Sequence, residues 1–155
     1  MQQNYVFVID TNKQQLNPVT PKQARRLLEK GKAAIYRMYP FTLILKTAID
    51  SPTIKTLTLK LDPGSKFTGI ALLEGENVIW CAELEHQGYQ IKNVLLSRRQ
   101  LRHNRRNRKT RYREPRFNNR KRKENWLPPS LEHRILTTET WVKRLMRYAP
   151  ITELW

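Results

Sequence analysis

The chain has 155 residues, with 30 Lys and Arg against 13 Asp and Glu, a formal net charge of +17. Its one cysteine, Cys81, excludes a disulfide framework and a cysteine-based zinc site, and no apolar run reaches the ~18 residues of a membrane-spanning helix. The opening Met1-Gln2-Gln3-Asn4 lacks the basic start and apolar stretch of a signal peptide, so a cytoplasmic, reducing setting is expected.

The first fifty residues read as a small α+β unit. Residues 5–9 are a continuous apolar run of strand length, and Asp10-Thr11-Asn12-Lys13 follows as a turn. Residues 20–31 carry full helix punctuation. Thr20 is a good N-cap, Pro21 falls at the first helical position, and Gln23 completes a capping-box spacing. Ala24, Leu27 and Leu28 make one apolar face, and Gly31 is placed to end the helix. Residues 33–36 and 41–46 are two further strand candidates. The stretch 47–53, with Pro52, is the expected boundary.

Residues 57–62 alternate with period two and end on Asp62. Pro63-Gly64-Ser65-Lys66 is turn chemistry, residues 68–73 form the next strand, and residues 78–84 a third. The spacing predicts a three-stranded antiparallel meander.

Charge is concentrated in residues 97–123, which hold fourteen cations and one acid, Glu114, a net of +13; the rest of the chain carries only +4. The cations are Arg98, Arg99, Arg102, Arg105, Arg106, Arg108, Lys109, Arg111, Arg113, Arg116, Arg120, Lys121, Arg122 and Lys123. Many recur at three- or four-residue steps, so one helical face is almost all cation, and Pro115 interrupts the pattern. Like charges at that spacing repel, and the segment has almost no apolar residue to bury. It is expected to be frayed or disordered until an anion neutralises it. Arginine suits bidentate phosphate contact, so nucleic acid is the expected partner and a membrane is not. Tyr112, Phe117 and Trp126 are candidates for base stacking, and core packing accounts equally well for Trp126. A last helix is expected from Ser130, with a stripe of Leu131, Ile135, Val142 and Leu145 and a stop at Pro150. Residues 151–155 look like the start of another strand.

Asp62 is the candidate catalytic and metal-binding residue. An acid at the end of a strand, followed by a glycine turn and a small-residue strand, is the opening of an RNase H-like nuclease, where the carboxylate binds Mg²⁺. The same residues also fit an ordinary Asp-Pro-Gly turn. Two-metal hydrolysis needs several converging carboxylates, and nothing in the spacing fixes Glu83, Glu85 or Glu153 beside Asp62. The histidines have no metal-ligand spacing, and Cys81 is expected to be a small core residue.

Taken in order, these segments resemble the N-terminal half of the IscB-type, transposon-encoded, RNA-guided nucleases. Leu16-Asn17-Pro18-Val19-Thr20-Pro21 and the helix after it are similar to that family's PLMP domain, with Asn17 in place of the motif's Met and Gln15 in place of its first Pro. Leu61-Asp62-Pro63-Gly64-Ser65-Lys66 with Thr68-Gly69-Ile70-Ala71 is similar to the first RuvC segment. Arg105-Arg106-Asn107-Arg108-Lys109 fits the RRXRR pattern of the arginine-rich bridge helix, with Lys in the last place, and Trp126-Leu127-Pro128-Pro129-Ser130-Leu131 continues the match.

The resemblance implies an α+β fold: a PLMP-like unit at 1–50, RuvC strands of an RNase H-like mixed sheet at 55–92, a bridge helix at 93–125, and a RuvC helix with the next strand at 126–155. It implies guide RNA and target DNA as partners, Mg²⁺ as cofactor, the fourteen cations as nucleic-acid contacts, and a prokaryotic, nucleoid-associated setting. The family's later RuvC segments and HNH domain are absent, so only one catalytic carboxylate is present. The chain is therefore expected to bind nucleic acid and to be inactive alone as a nuclease. Mg²⁺-dependent cleavage with a second polypeptide supplying the missing strands is one alternative, and general structured-RNA binding is another. In an RNase H-like sheet the Asp62 strand is central, so its second neighbour, which follows the last helix, is expected to be missing or a stub.

Overall fold

The computed structural model describes residues 4–108, 122 and 124–155. Met1–Glu85 and Thr138–Trp155 belong to one compact unit, and His86–Thr137 to another. The class is α+β, with two mixed four-stranded sheets and three helices among the described residues.

The first sheet holds β1 (Val6–Ile9), β2 (Gln15–Val19), β3 (Ala33–Arg37) and β4 (Thr42–Leu45), in the order β2-β1-β4-β3. β1 and β4 are parallel, and the other pairs are antiparallel. The crossover between β1 and β4 includes α1 (Pro21–Glu29), whose capping box forms as its sequence predicts. The Gln23 N–H donates to Thr20 Oγ1 at 3.4 Å, and the Thr20 N–H donates to Gln23 Oε1 at 3.0 Å. Gly31 ends the turn at φ +64°, a conformation that suits glycine. Ala24 of α1 is buried with Val6, Ala33 and Leu43, and Leu27 and Leu28 pack against them.

β2 contains Pro18 and was not among the predicted strands. It lies at the sheet edge, where proline's missing N–H costs no ladder bond. Asn17, where the family motif has Met, has its own task here. Its side-chain amide donates to the Thr53 carbonyl and its oxygen accepts from the Lys55 N–H, both at 2.8 Å. Lys55 also pairs with Glu74, so the linker between the sheets is pinned at two places.

The second sheet contains the predicted meander, β5 (Leu57–Pro63), β6 (Phe67–Glu74) and β7 (Asn77–Glu85), and then β8 (Ile151–Leu154), in the order β7-β6-β5-β8. Leu59, Leu72 and Trp80 sit in one cross-strand row. They join Leu57, Ile70, Ile79, Phe7 and Ile9 in the main core, into which Leu145, Tyr148 and Ala149 also insert. The Phe7 and Trp80 rings lie 5.6 Å apart. The β7 edge is covered by the start of the chain. The Tyr5 N–H donates to the Ile79 carbonyl, and the Asn4 carboxamide bonds both the N–H and the carbonyl of Cys81.

β8 lies parallel to β5 and is its second neighbour in the sheet. The Trp155 N–H donates to the Leu59 carbonyl and the Leu61 N–H to the Trp155 carbonyl, both at 2.9 Å. On the other side of β5, pairing with β6 runs through Asp62 and Pro63.

The two long helices are α2 (Gly88–Asn107) and α3 (Pro129–Tyr148). α2 begins at Gly88 rather than at 93, and it carries the start of the basic run as regular helix where a frayed segment was expected. The turns from Gly88 to Leu96 supply nucleation, so each later arginine needs only to propagate the helix. α3 begins one residue before the expected cap, and the Leu131 and Glu132 N–H groups donate to the Pro128 carbonyl. Its apolar stripe divides. Leu145 is fully buried, whereas Leu131 and Ile135 are exposed. No helix among the described residues is long and apolar enough to cross a membrane.

Candidate nucleic-acid interface

Placed at 100° per residue, Arg98, Arg99, Arg102, Arg105 and Arg106 of α2 fall within about 120° of arc, and Lys92 widens it to about 140°. No residue of this helix is buried. Gly88 and Ile91 are half-buried, and the other residues of the helix are exposed. The arginines at three- and four-residue steps repel one another by a few tenths of a kcal/mol per pair, about 0.2–0.5. Phosphates seated along the arc would reverse that sign. Arg105 and Arg106 lie in the last turn, where the helix dipole favours cations, and Arg108 is the C-cap.

Of the other expected contact residues, Lys109, Arg111, Arg113, Arg116, Arg120, Lys121 and Lys123 lie outside the described residues, as do Tyr112 and Phe117. Arg122 is described. Its guanidinium lies 4.0 Å from the centre of the Trp126 ring. Trp126 is 43% exposed, so it is a surface aromatic under a cation and not a core residue.

His86, just before α2, is buried. Burial holds its imidazole below the usual histidine range, and the nearby Arg134 and His133 push in the same direction. His86 is therefore neutral at pH 7, and this end of the basic unit is not loaded with a further positive charge.

Asp62 is exposed near the end of β5, on the face of the sheet opposite the core. Register places Gly69 directly opposite it and Glu83 opposite Gly69, so the three form one row across three strands. Lys60, Ala71 and Cys81 form the next row on the same face. Cys81 is thus exposed, a correction to its expected core role that follows from strand parity: Trp80 takes the inner face. Gly69 leaves a shallow floor beside Asp62, since a Cβ there would stand 3.5 Å from the Asp62 Cβ. Gly64 is different, because a Cβ there would meet the Phe67 carbonyl oxygen at 2.3 Å. That glycine is required by the turn itself.

The described residues do not make up a two-ion site. Glu83 is two strands from Asp62, about 10 Å at the usual strand spacing. Glu153 pairs with Thr58, four residues back along β5, and its carboxylate accepts from the Thr58 hydroxyl. Among the described residues no three His, Cys, Asp or Glu side chains converge as metal ligands. The place of Glu83 in the Asp62 row was not legible in the sequence, because it depends on the register of two strand pairs.

No curated protein matches the chain. The model of one family, described as RRXRR protein, matches residues 6–155.

Proposed function

Because the chain belongs to the RRXRR family, we propose that it acts as the nucleic-acid-gripping part of an IscB-like RNA-guided DNA endonuclease. In this reading it holds guide RNA and the RNA–DNA heteroduplex through backbone charge and A-form shape. The observation that supports it is α2, which has no buried residue and carries five arginines on one arc. The cations beyond Asn107 continue that grip in sequence.

The chain does not cut on its own in this reading, because no further carboxylates converge on Asp62 among the described residues. A direct test is fluorescence anisotropy of a labelled structured RNA as salt rises from about 50 to 200 mM. Neutralising ~6–10 phosphates predicts a fall in affinity of about 10³–10⁵-fold. Absence of binding at the lower salt would overturn the reading.

A second reading is Mg²⁺-dependent cleavage restored by a second polypeptide that supplies further carboxylates. It is favoured by the exposure of Asp62 beside Gly69, which leaves room for a phosphate backbone. Nicking that appears on mixing the two chains, and disappears in Asp62→Ala, would establish it.

A further inference from the structure

α2 has a second ribbon that phosphate binding does not use. Asn93, Ser97, Gln100 and Asn104 recur at i, i+4, i+7 and i+11, within about 60° of arc and roughly opposite the arginines at 100° per residue. All four side chains are exposed. Across the wider arc of about 140° from His103 to Gln90 the helix carries no charged residue. Charged residues make up 28% of the chain. An ordinary solvated face of a helix mixes Lys, Glu and Arg, whereas this one is mainly carboxamides and a hydroxyl, with Tyr89, Leu96 and His103 among them. The ribbon extends to the C-terminal turn, where the Asn107 carboxamide and His103 Nε2 are hydrogen-bonded at 2.9 Å.

Carboxamides are poor partners for phosphate compared with guanidinium. They carry a donor pair and an acceptor on one rigid group, which matches base edges and sugar hydroxyls. In RNA, unpaired bases present their edges, and the 2′-hydroxyl is both donor and acceptor. An α-helix is only about 10–12 Å across, so folded RNA that seats phosphates on one arc can reach the other. Apart from the half-buried Gly88 and Ile91, every residue of the helix is exposed, so both arcs are open to the same occupant.

We propose that the carboxamide ribbon of α2 is an RNA-reading surface. It makes hydrogen bonds to base edges and 2′-hydroxyls while the arginines on the opposite arc hold phosphate. The helix is therefore enclosed by RNA, and its two faces divide selectivity from affinity. The inference rests on the RNA-binding reading above and adds the part of the helix that distinguishes RNA from DNA.

The test uses the full chain, a labelled stem-loop RNA with an unpaired loop, and a DNA of the same sequence. Binding of each is measured across a salt series. The variant N93A/Q100A/N104A replaces exposed residues with the strongest helix former, and far-UV circular dichroism checks that helicity is kept. Its RNA affinity is expected to fall about 10–100-fold, from the loss of three hydrogen-bonding groups. The salt slope should stay as in the wild type, and the preference for RNA over DNA should narrow. Gln100→Met, which keeps the side-chain length and loses the amide, should show a smaller loss in the same direction. Unchanged RNA affinity in both variants would overturn the inference and leave RNA binding intact. A loss accompanied by a lower salt slope would overturn it too, because the ribbon would then be meeting phosphate. Wild-type chain that does not bind the RNA at all would defeat the underlying reading instead.

Discussion

Replacing Arg102, Arg105 and Arg106 together with alanine isolates the electrostatic grip of α2. These side chains lie within about 100° of arc on one side of the helix, close enough to meet one phosphate backbone. Each phosphate contact contributes about 0.9 to the slope of log affinity against log salt on duplex backbone, and about 0.7 on a single strand. Three lost contacts therefore lower the slope by about 2–3. Over a fourfold rise in salt, the duplex value amounts to about 40-fold less loss of affinity than in the wild type. Alanine favours helix and removes like-charge repulsion, so α2 itself should gain stability. The assay is fluorescence anisotropy at several salt concentrations, with circular dichroism of each protein alone. A slope equal to that of the wild type would refute the claim that these side chains meet phosphate, even if affinity at one salt concentration had changed.

Gly64→Ala and Gly69→Ala should part company in urea unfolding. The first forces a Cβ onto the Phe67 carbonyl oxygen and should lose stability, by about 1–3 kcal/mol as in other overpacked sites, while the second places a methyl at ordinary contact distance from Asp62 and should be tolerated. Asn17→Ala removes both bonds that hold the linker at Thr53 and Lys55, about 1–3 kcal/mol together at the usual net value per hydrogen bond, and limited trypsin digestion should then cut faster at Lys55. Unchanged cleavage would mean that the Lys55–Glu74 pair alone pins the segment. His86 has a lowered pKa in the folded chain, so the unfolded chain binds its proton more readily. Its contribution is present above the ordinary value of 6.5 and is lost as pH falls through the folded pKa. Thermal unfolding from pH 7.5 to 5 should thus show a loss of stability that His86→Gln reduces, and parallel curves for the two proteins would contradict this.

The parts of the fold that sequence revealed are those whose signals are local. The Thr20-Pro21-Gln23 cap and Gly31 mark α1 because each acts within a few residues of its own position. The alternation in residues 57–62 and the turn at Pro63-Gly64 likewise specify the meander without reference to distant chain. β2 was hidden because Pro18 argues against a strand until the strand is known to lie at an edge. The start of α2 was hidden for want of punctuation, since Gln87 makes no side-chain capping bond and Gly88 is a weak opening. The exposure of Leu131 and Ile135 was not legible, because periodicity shows which face is apolar, not whether anything covers it. At the site, Asp62 could be picked out by its strand-end position, and the arginine arc by its period. The row of Asp62, Gly69 and Glu83 could not, as it is set by pairings across three strands. Trp126 was undecided in sequence, and its exposure under Arg122 settles it as a surface residue.

The most direct measurement of the central claim is electrophoretic mobility of the purified chain at about 150 mM salt. It compares the RNA encoded beside its own gene with an unrelated RNA of equal length. This salt is where bare phosphate attraction has already lost much of its strength. A marked preference for the neighbouring RNA is the predicted result, because a folded chain in this reading recognises RNA shape as well as charge. Equal binding to both RNAs, lost together as salt rises, would contradict the account and reduce the chain to a polycation.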